Sequence, residues 1–129
     1  MRMPKILIVD DEPHIRALLE QTLEELEDEY DVEILVACDG EEGYNTIIEE
    51  KPELVFLDIM MPKMNGYDVC RKIKSNQEFE NTKIILLTAK GQEVDKKAGL
   101  EAGALKYITK PFDPEEIVAI SKEILNLDN

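Results

Sequence analysis

The sequence predicts an α/β domain built on a parallel sheet with helices on both faces. Short apolar runs recur along the chain and alternate with segments of helical periodicity. Runs without apolar–polar alternation are typical of strands that are buried on both faces of a parallel sheet. A length of 129 residues suits one domain with a single core. We therefore expect residues 1–129 to form one doubly wound (βα)5 domain of five βα units.

Four of the five predicted strands are followed by, or end in, polar residues with reactive side chains. These runs are Lys5–Val9 before Asp10 and Asp11, Leu54–Leu57 before Asp58, Ile84–Leu87 before Thr88, and Tyr107–Thr109 before Lys110. The fifth strand, Val32–Ala37, has mixed polarity and is predicted to lie at an edge. Open α/β sheets bind ligands at the carboxyl ends of their parallel strands, so we expect these polar residues to share one cleft.

The first two predicted helices have recognisable starts. The first begins at Pro13, a favoured first helical residue, and continues to about Glu29. Its apolar stripe is Ile15, Leu18, Leu19, Leu23 and Leu26. The second follows the segment Asp39–Glu42, which has the pattern of a capping box. We expect this second helix to bury Tyr44, Ile47 and Ile48.

The three remaining predicted helices differ in their apolar content. One starts after Asn65–Gly66 and carries Val69, Cys70 and Ile73, and the last starts at Asp113–Glu116 and packs Ile117, Ile120 and Ile124. The helix between them, about Gln92 to Ala102, has only Val94, Ala98 and Ala102 in its stripe. It also contains Gly99, which costs about 1 kcal/mol relative to alanine. We expect this helix to move most easily, and we expect no second domain after the last helix.

Composition narrows the classes of partner and location. The chain has 15 basic and 29 acidic residues, a net charge of −14, which argues against direct binding to nucleic acid or to an anionic membrane. No apolar run approaches the roughly 18 residues of a membrane span, and no signal peptide is evident. Cys38 and Cys70 lack CxxC or zinc spacing, so we expect packed, reduced thiols in a cytoplasmic protein.

The strand-end residues suggest a site for a metal and a phosphoryl group. Asp10 and Asp11 alone could equally cap the first helix, but Asp58 adds a third carboxylate. Carboxylates brought this close repel one another and require a cation, and oxygen ligands favour Mg²⁺ over Zn²⁺. Lys110 would supply a second positive charge and Thr88 a hydroxyl donor. A lone strand-end Thr or Lys is usually solvated, so the prediction depends on the combination.

Four segments carry a resemblance that covers essentially the whole chain. ILIVDDE, LVFLDIMMPKMNG, IILLTAK and YITKPF, in this order, resemble the receiver domain of two-component response regulators, and in particular the chemotaxis-regulator type. This resemblance implies a flavodoxin-like parallel sheet with strand order 2-1-3-4-5. It also implies that Asp58 accepts a phosphoryl group from a histidine kinase or a histidine phosphotransfer protein.

The resemblance implies roles for the other site residues. Asp11, Asp58 and the backbone carbonyl of Met60 would hold Mg²⁺ directly, while Asp10 would act through water. Thr88 and Lys110 would contact the phosphoryl oxygens, and the peptide bond between Lys110 and Pro111 would be cis.

An output surface follows from the same resemblance. Tyr107 would be the aromatic residue whose side-chain rotation is coupled to the hydroxyl of Thr88. The alternative is that Tyr107 is a half-buried side chain that only fills space. Rotation would repack the face from about Lys90 to Glu123, which would bind a downstream effector protein or a second receiver copy. The kinase would dock near Glu12–Leu19.

We interpret the chain as a stand-alone signalling receiver, assisting only its own phosphorylation and dephosphorylation, rather than as an enzyme. The first alternative is the receiver portion of a longer regulator with a DNA-binding or enzymatic output. A flavodoxin-like cofactor binder would need a Gly, Ser or Thr loop after the first strand, where this chain has Asp10, Asp11 and Glu12. A metal-dependent hydrolase of external phosphoesters would need a second base, and none is evident.

Overall fold

The computed structural model describes residues 3–89 and 96–127, the side chain of Lys96 excepted. The strands are β1 (Lys5–Val9), β2 (Glu33–Ala37), β3 (Leu54–Asp58), β4 (Lys83–Ala89) and β5 (Lys106–Lys110). The helices are α1 (Pro13–Thr22), α2 (Glu24–Tyr30), α3 (Gly40–Glu50), α4 (Gly66–Lys74), α5 (Lys96–Glu101) and α6 (Pro114–Ile124), with a 3-10 turn at Gln77–Phe79. The predicted alternation of strands and helices is confirmed.

All five strands are parallel and lie in the order β2-β1-β3-β4-β5, which confirms the expected fold class and strand order. β2 pairs only with β1 in the described part of the chain, as expected of an edge strand. The register pairs Val9 with Leu57, and Asp58 with Leu87. The carboxyl ends of β1, β3 and β4 therefore lie side by side.

The sheet separates two apolar cores. Along β1, Leu7 and Val9 contribute to the core beneath α3 and α4, while Ile6 and Ile8 contribute to the core beneath α1, α2 and α6. Every residue of β3 is buried. Because both faces are covered, an apolar residue is favoured at every position, which explains the unbroken apolar runs.

Side-chain caps begin three of the helices. The side chains of Asp39, Asn65 and Asp113 accept backbone N–H bonds at 2.8, 3.0 and 3.0 Å at the starts of α3, α4 and α6. The Glu42 carboxylate accepts from the backbone N–H of Cys38 at 2.6 Å, one residue earlier than in a standard capping box. Each such cap contributes about 1 kcal/mol, so these short polar segments fix where the helices start.

The first predicted helix is divided in two, contrary to the expectation of one helix to Glu29. α1 ends at Thr22, and Leu23, with φ −93° and ψ 2°, separates it from α2. The Thr22 hydroxyl donates to the carbonyl of Leu18 at 2.7 Å. Such back-bonding by threonine competes with the helix's own hydrogen bonds and bends the chain. Leu19, Leu23 and Leu26 are all completely buried, so the break keeps the apolar stripe on the sheet.

Two residues of the predicted stripes are exposed instead. Leu18 and Ile48 are 43% and 36% exposed, while their neighbours Leu19 and Ile47 are completely buried. Consecutive helical residues point about 100° apart, and in these two pairs only one member reaches the core. The predicted start of the weak helix, with Gln92 and Val94, lies outside the described residues, and its mobility stays a prediction.

The cysteines also differ from each other. Both are free thiols; Cys70 is buried and its Sγ lies 3.3 Å from the carbonyl oxygen of Ala102, whereas Cys38 is exposed. The expectation of two packed thiols was therefore wrong for Cys38, because its strand-end position leaves it at the surface. Within residues 3–89 and 96–127, no helix has the length and apolarity needed to cross a membrane.

Candidate functional site

The first strand ends in two carboxylates with different environments. Asp10 is completely buried, and its Oδ1 accepts a hydrogen bond from the backbone N–H of Glu12 at 2.9 Å, while Asp11 is exposed. The Arg16 guanidinium donates to the backbone carbonyl of Asp10 at 2.6 Å and ties α1 to the strand end. One carboxylate oxygen from each of Asp10, Asp11 and Glu12 lies within 4.8 Å of the others. This spacing allows the three groups to face one cation.

Asp58 is held at the end of β3 by a loop that folds back on the strand. The backbone N–H of Gly66 donates to the carbonyl of Ile59 at 2.9 Å. A Cβ at Gly66 would lie 2.6 Å from the backbone oxygen of Asp58, so this close approach requires glycine. Asp58 is 4% exposed, its carboxylate is hydrogen-bonded by the backbone N–H of Met60, and the Met60 residue is 59% exposed. The loop therefore leaves Met60 accessible beside Asp58.

Lys110 supplies a fixed positive charge at the end of β5. Its Nζ lies 2.9 Å from Oδ2 of Asp10, 3.5 Å from Oδ1 of Asp58 and 3.6 Å from Oε1 of Glu12. Burial alone would lower the pKa of Lys110, but the hydrogen bond that it donates to Asp10 and the charges of Asp58 and Asp10 outweigh burial and raise that pKa. The side chain is therefore a cation at neutral pH. The Lys110–Pro111 bond is cis, as the resemblance implied.

The surroundings of Asp58 disfavour the ionised form of its carboxyl group. Burial, followed by the nearby charge of Asp10, raises the pKa of Asp58 to about 7, although Lys110 acts in the opposite direction. One ammonium group thus leaves an excess of negative charge among these carboxylates. A divalent cation with oxygen ligands would remove that excess, so the donor set suits Mg²⁺.

Thr88 and Tyr107 lie on neighbouring strands and the same face of the sheet. Leu86 pairs with Tyr107, and Thr88 pairs with Thr109, one alternation further along. The Thr88 residue is 5% exposed, and its Oγ1 has no hydrogen-bond partner among the described residues. Tyr107 is half-buried and packs against the core on that face. A buried hydroxyl without a hydrogen-bond partner costs about 1–3 kcal/mol. The Thr88 hydroxyl is therefore available to donate a hydrogen bond to a group bound at this site.

These residues form a buried carboxylate beside an ammonium group, further carboxylates and a donor hydroxyl, all at one sheet edge. The family model of the response regulator receiver domain matches residues 6–122. The chain belongs to this family. It is a phosphorylatable receiver domain of the two-component response regulator family, and the resemblance seen in the sequence is confirmed.

Curated relatives of this receiver include transcriptional regulators. The PhoP regulatory protein of alkaline phosphatase synthesis from Bacillus subtilis is 47% identical over 121 residues, which are 94% of this chain and 48% of PhoP. RpaA, a DNA-binding master transcriptional regulator from Synechocystis, is 40% identical over 123 residues, 95% of this chain and 49% of RpaA. This chain thus spans about half the length of these relatives.

Solved structures agree with the fold of the receiver. A response regulator structure from Chloroflexus aurantiacus matches with a TM-score of 0.85 and 34% identity, covering 97% of this chain and 99% of the other. The receiver domain of the sensor histidine kinase PA1611 from Pseudomonas aeruginosa matches with a TM-score of 0.83 and 25% identity, over 97% and 99% of the two chains. The PA1611 structure has a magnesium ion coordinated in its active-site cleft.

The structure brings Asp10, Asp58 and Lys110 into direct contact range and places Thr88 one residue beyond the Asp58–Leu87 pair. Lys90, on the predicted output face, lies outside the described residues. Sequence reasoning missed the carboxylate of Glu12 near Lys110, the bond of Arg16 to the carbonyl of Asp10, and the close approach that Gly66 allows at Asp58. Glu12 could have been found, since it directly follows the acidic pair.

Proposed function

We propose that Asp58 of this receiver is the phosphoryl acceptor. The observation that carries the proposal is the position of Lys110, whose Nζ is 3.5 Å from Oδ1 of Asp58. A fixed cation at this distance attracts the negatively charged phosphoryl group and shields its repulsion by Asp58. Asp10 is fully buried and bonded to the same ammonium group, so it is less available as a nucleophile.

We propose Mg²⁺ as the cofactor. Asp11, Asp58 and the backbone carbonyl of Met60 would hold the ion directly and Asp10 through water, with Glu12 as a further carboxylate near the ligands. The support comes from the clustered carboxylate oxygens and from the raised pKa of Asp58, which is caused first by burial and second by the negative charge of Asp10. The ion would supply charge neutralisation for the phosphoryl oxygens.

The transfer itself requires positioning and little covalent chemistry from the rest of the protein. A carboxylate oxygen of Asp58 forms a bond to phosphorus as the phosphorus–nitrogen bond of a donor phosphohistidine breaks, and the leaving imidazole retains the electron pair and takes up a proton. Lys110 balances the charge of the phosphoryl group, and Thr88 donates its hydroxyl hydrogen bond to a phosphoryl oxygen. The domain assists only its own phosphorylation and dephosphorylation and acts on no external substrate.

A mass measurement tests this assignment. Incubation with Mg²⁺ and a small acyl phosphate should add one phosphoryl group that hydroxylamine removes, since Asp58 would carry an acyl phosphate. Asp58→Asn should remain unlabelled, while the matched control Asp28→Asn, an exposed aspartate on α2, should label like the parent. Equal labelling of Asp58→Asn and the parent would disprove the assignment.

Phosphorylation would change the surface formed by α5, β5 and α6. The added charge of about −1.5 to −2 would draw the Thr88 hydroxyl toward the phosphoryl group and open space for Tyr107. We propose that this surface then binds an effector protein or a second receiver, while a histidine kinase or phosphotransfer protein docks near Glu12–Leu19. Amide NMR with a phosphoryl mimic should show shifts in β5 and α5; shifts restricted to the loops at Asp11 and Asp58 would refute the switch.

A second candidate concerns the whole protein. Residues 1–129 would be one receiver domain in the cytoplasm, either standing alone or preceding an output domain. The match to about half the length of PhoP and RpaA favours a DNA-binding output domain in the same polypeptide. The complete coding sequence would decide this: an open reading frame that continues into a DNA-binding domain supports it, and a stop codon at the end of the present sequence refutes it.

A further inference from the structure

A glycine on α5 leaves the space that Tyr107 occupies. A Cβ built on Gly99 would overlap the phenolic oxygen and the Cζ of Tyr107 and would lie 3.0 Å from its Cε2. Gly99 is buried, and its backbone carbonyl accepts a hydrogen bond from the N–H of Ala104 at 3.1 Å. The backbone of α5 is therefore tied to the segment that leads into β5. Any side chain at this position would have to displace the ring or the helix.

Displacing the ring is not a small adjustment. A tyrosine side chain has two rotatable bonds and a rigid ring, so its hydroxyl moves away only if the whole ring swings or the helix shifts. Tyr107 shares its face of the sheet with Thr88, on the adjacent strand. A change of ring position would therefore occur beside the hydroxyl that the proposed phosphoryl group would attract.

We propose that Gly99 is a positioning residue that holds Tyr107 in its unphosphorylated position by leaving a notch in α5 for the phenol. This inference rests on the proposed function, because it assigns Tyr107 to the switch. If phosphorylation favours a different position of the ring, then filling the notch destabilises the unphosphorylated position and favours phosphorylation. The coupling is reciprocal, as in any linked equilibrium.

A double-mutant cycle tests the contact without reference to phosphorylation. In the parent, Gly99→Ala should lower the Tm by several degrees because the methyl group expels the ring. In a Tyr107→Ala background, the same change should raise the Tm by about 2–5 °C, since alanine is the better helix former. Tyr67→Ala is the matched background, because it removes another partly buried tyrosine from the same core; there Gly99→Ala should again lower the Tm. A shift of the same sign in all three backgrounds overturns the proposal.

Two further measurements separate positioning from mere packing. With 3-fluorotyrosine incorporated, Gly99→Ala should move the fluorine resonance of Tyr107, assigned from Tyr107→Phe, and leave those of the other three tyrosines in place. The rate of phosphorylation by a small acyl phosphate with Mg²⁺ should rise at least threefold in Gly99→Ala and should be unaffected by that change in the Tyr107→Ala background. An unchanged resonance or an unchanged rate overturns the proposal. If the parent itself is not phosphorylated, the proposed function fails, while the thermal cycle still reports on the notch.

Discussion

Removal of the charge on Asp58 should stabilise the fold in the absence of Mg²⁺. Burial and the charge of Asp10 raise the pKa of this carboxyl from 3.8 to about 7. Every tenfold change in an ionisation constant corresponds to about 1.4 kcal/mol, so ionisation costs the folded protein at most about 4 kcal/mol. Asp58→Asn keeps the shape and removes the charge. We expect it to raise the free energy of unfolding by about 2–4 kcal/mol at pH 8, measured by urea denaturation with an unchanged m-value.

The pH dependence gives the sharper test. Below pH 3.8 the carboxyl is protonated in both states, so parent and Asp58→Asn should be nearly equal in stability. Between pH 3.8 and about 7 the unfolded chain releases this proton first, so the parent loses up to about 1.4 kcal/mol per pH unit relative to the variant. Saturating Mg²⁺ should narrow the gap by binding the ionised parent. A variant that is less stable than the parent at pH 8 without metal, or a gap independent of pH, would refute the reasoning.

Three further predictions concern the same site and the start of α3. Asp11→Ala should abolish the rise in Tm that Mg²⁺ produces, measured by differential scanning calorimetry, whereas Asp28→Asn should retain it; retention in both places the metal elsewhere. Lys110→Met should leave Asp10 as a buried unpaired carboxylate, at a cost of about 3–5 kcal/mol in urea denaturation, and should slow phosphorylation at least about 100-fold; a rate near that of the parent would exclude the lysine from the transfer. Asp39→Ala should remove the cap of α3 and cost about 1 kcal/mol without changing the phosphorylation rate, and an unchanged stability would show that the cap is redundant.

The strands were predictable because the sheet is buried on both faces. Every residue of β3 is buried, so its sequence lacks the apolar–polar alternation of a strand with one exposed face. The division between α1 and α2 was not predictable in the same way. The apolar stripe continues through Leu23, and the break shows only in the backbone and in the bond of Thr22 to Leu18. Periodicity reports which residues reach the core and not whether the helix is continuous.

The site was predictable to the extent that strand ends determine it. Parallel strands bring Asp10, Asp58 and Lys110 to one edge of the sheet, independently of the conformation of the loops. The loops and the helix starts decide the remainder: Arg16, in the first turn of α1, donates to the backbone carbonyl of Asp10. Backbone carbonyls leave no trace in the sequence, so such a bond is visible only after folding.

Gly99 shows why a propensity scale is insufficient for the switch region. The helix propensity of glycine is about 1 kcal/mol less favourable than that of alanine, so propensity alone favours alanine at this position. In the structure the missing Cβ is the space occupied by the phenol of Tyr107, so the gain in helix stability and the displacement of the ring are inseparable. The same absence of a side chain that lowers the intrinsic stability of α5 also positions the aromatic beside Thr88. A low barrier to movement and a defined unphosphorylated position would therefore have one origin.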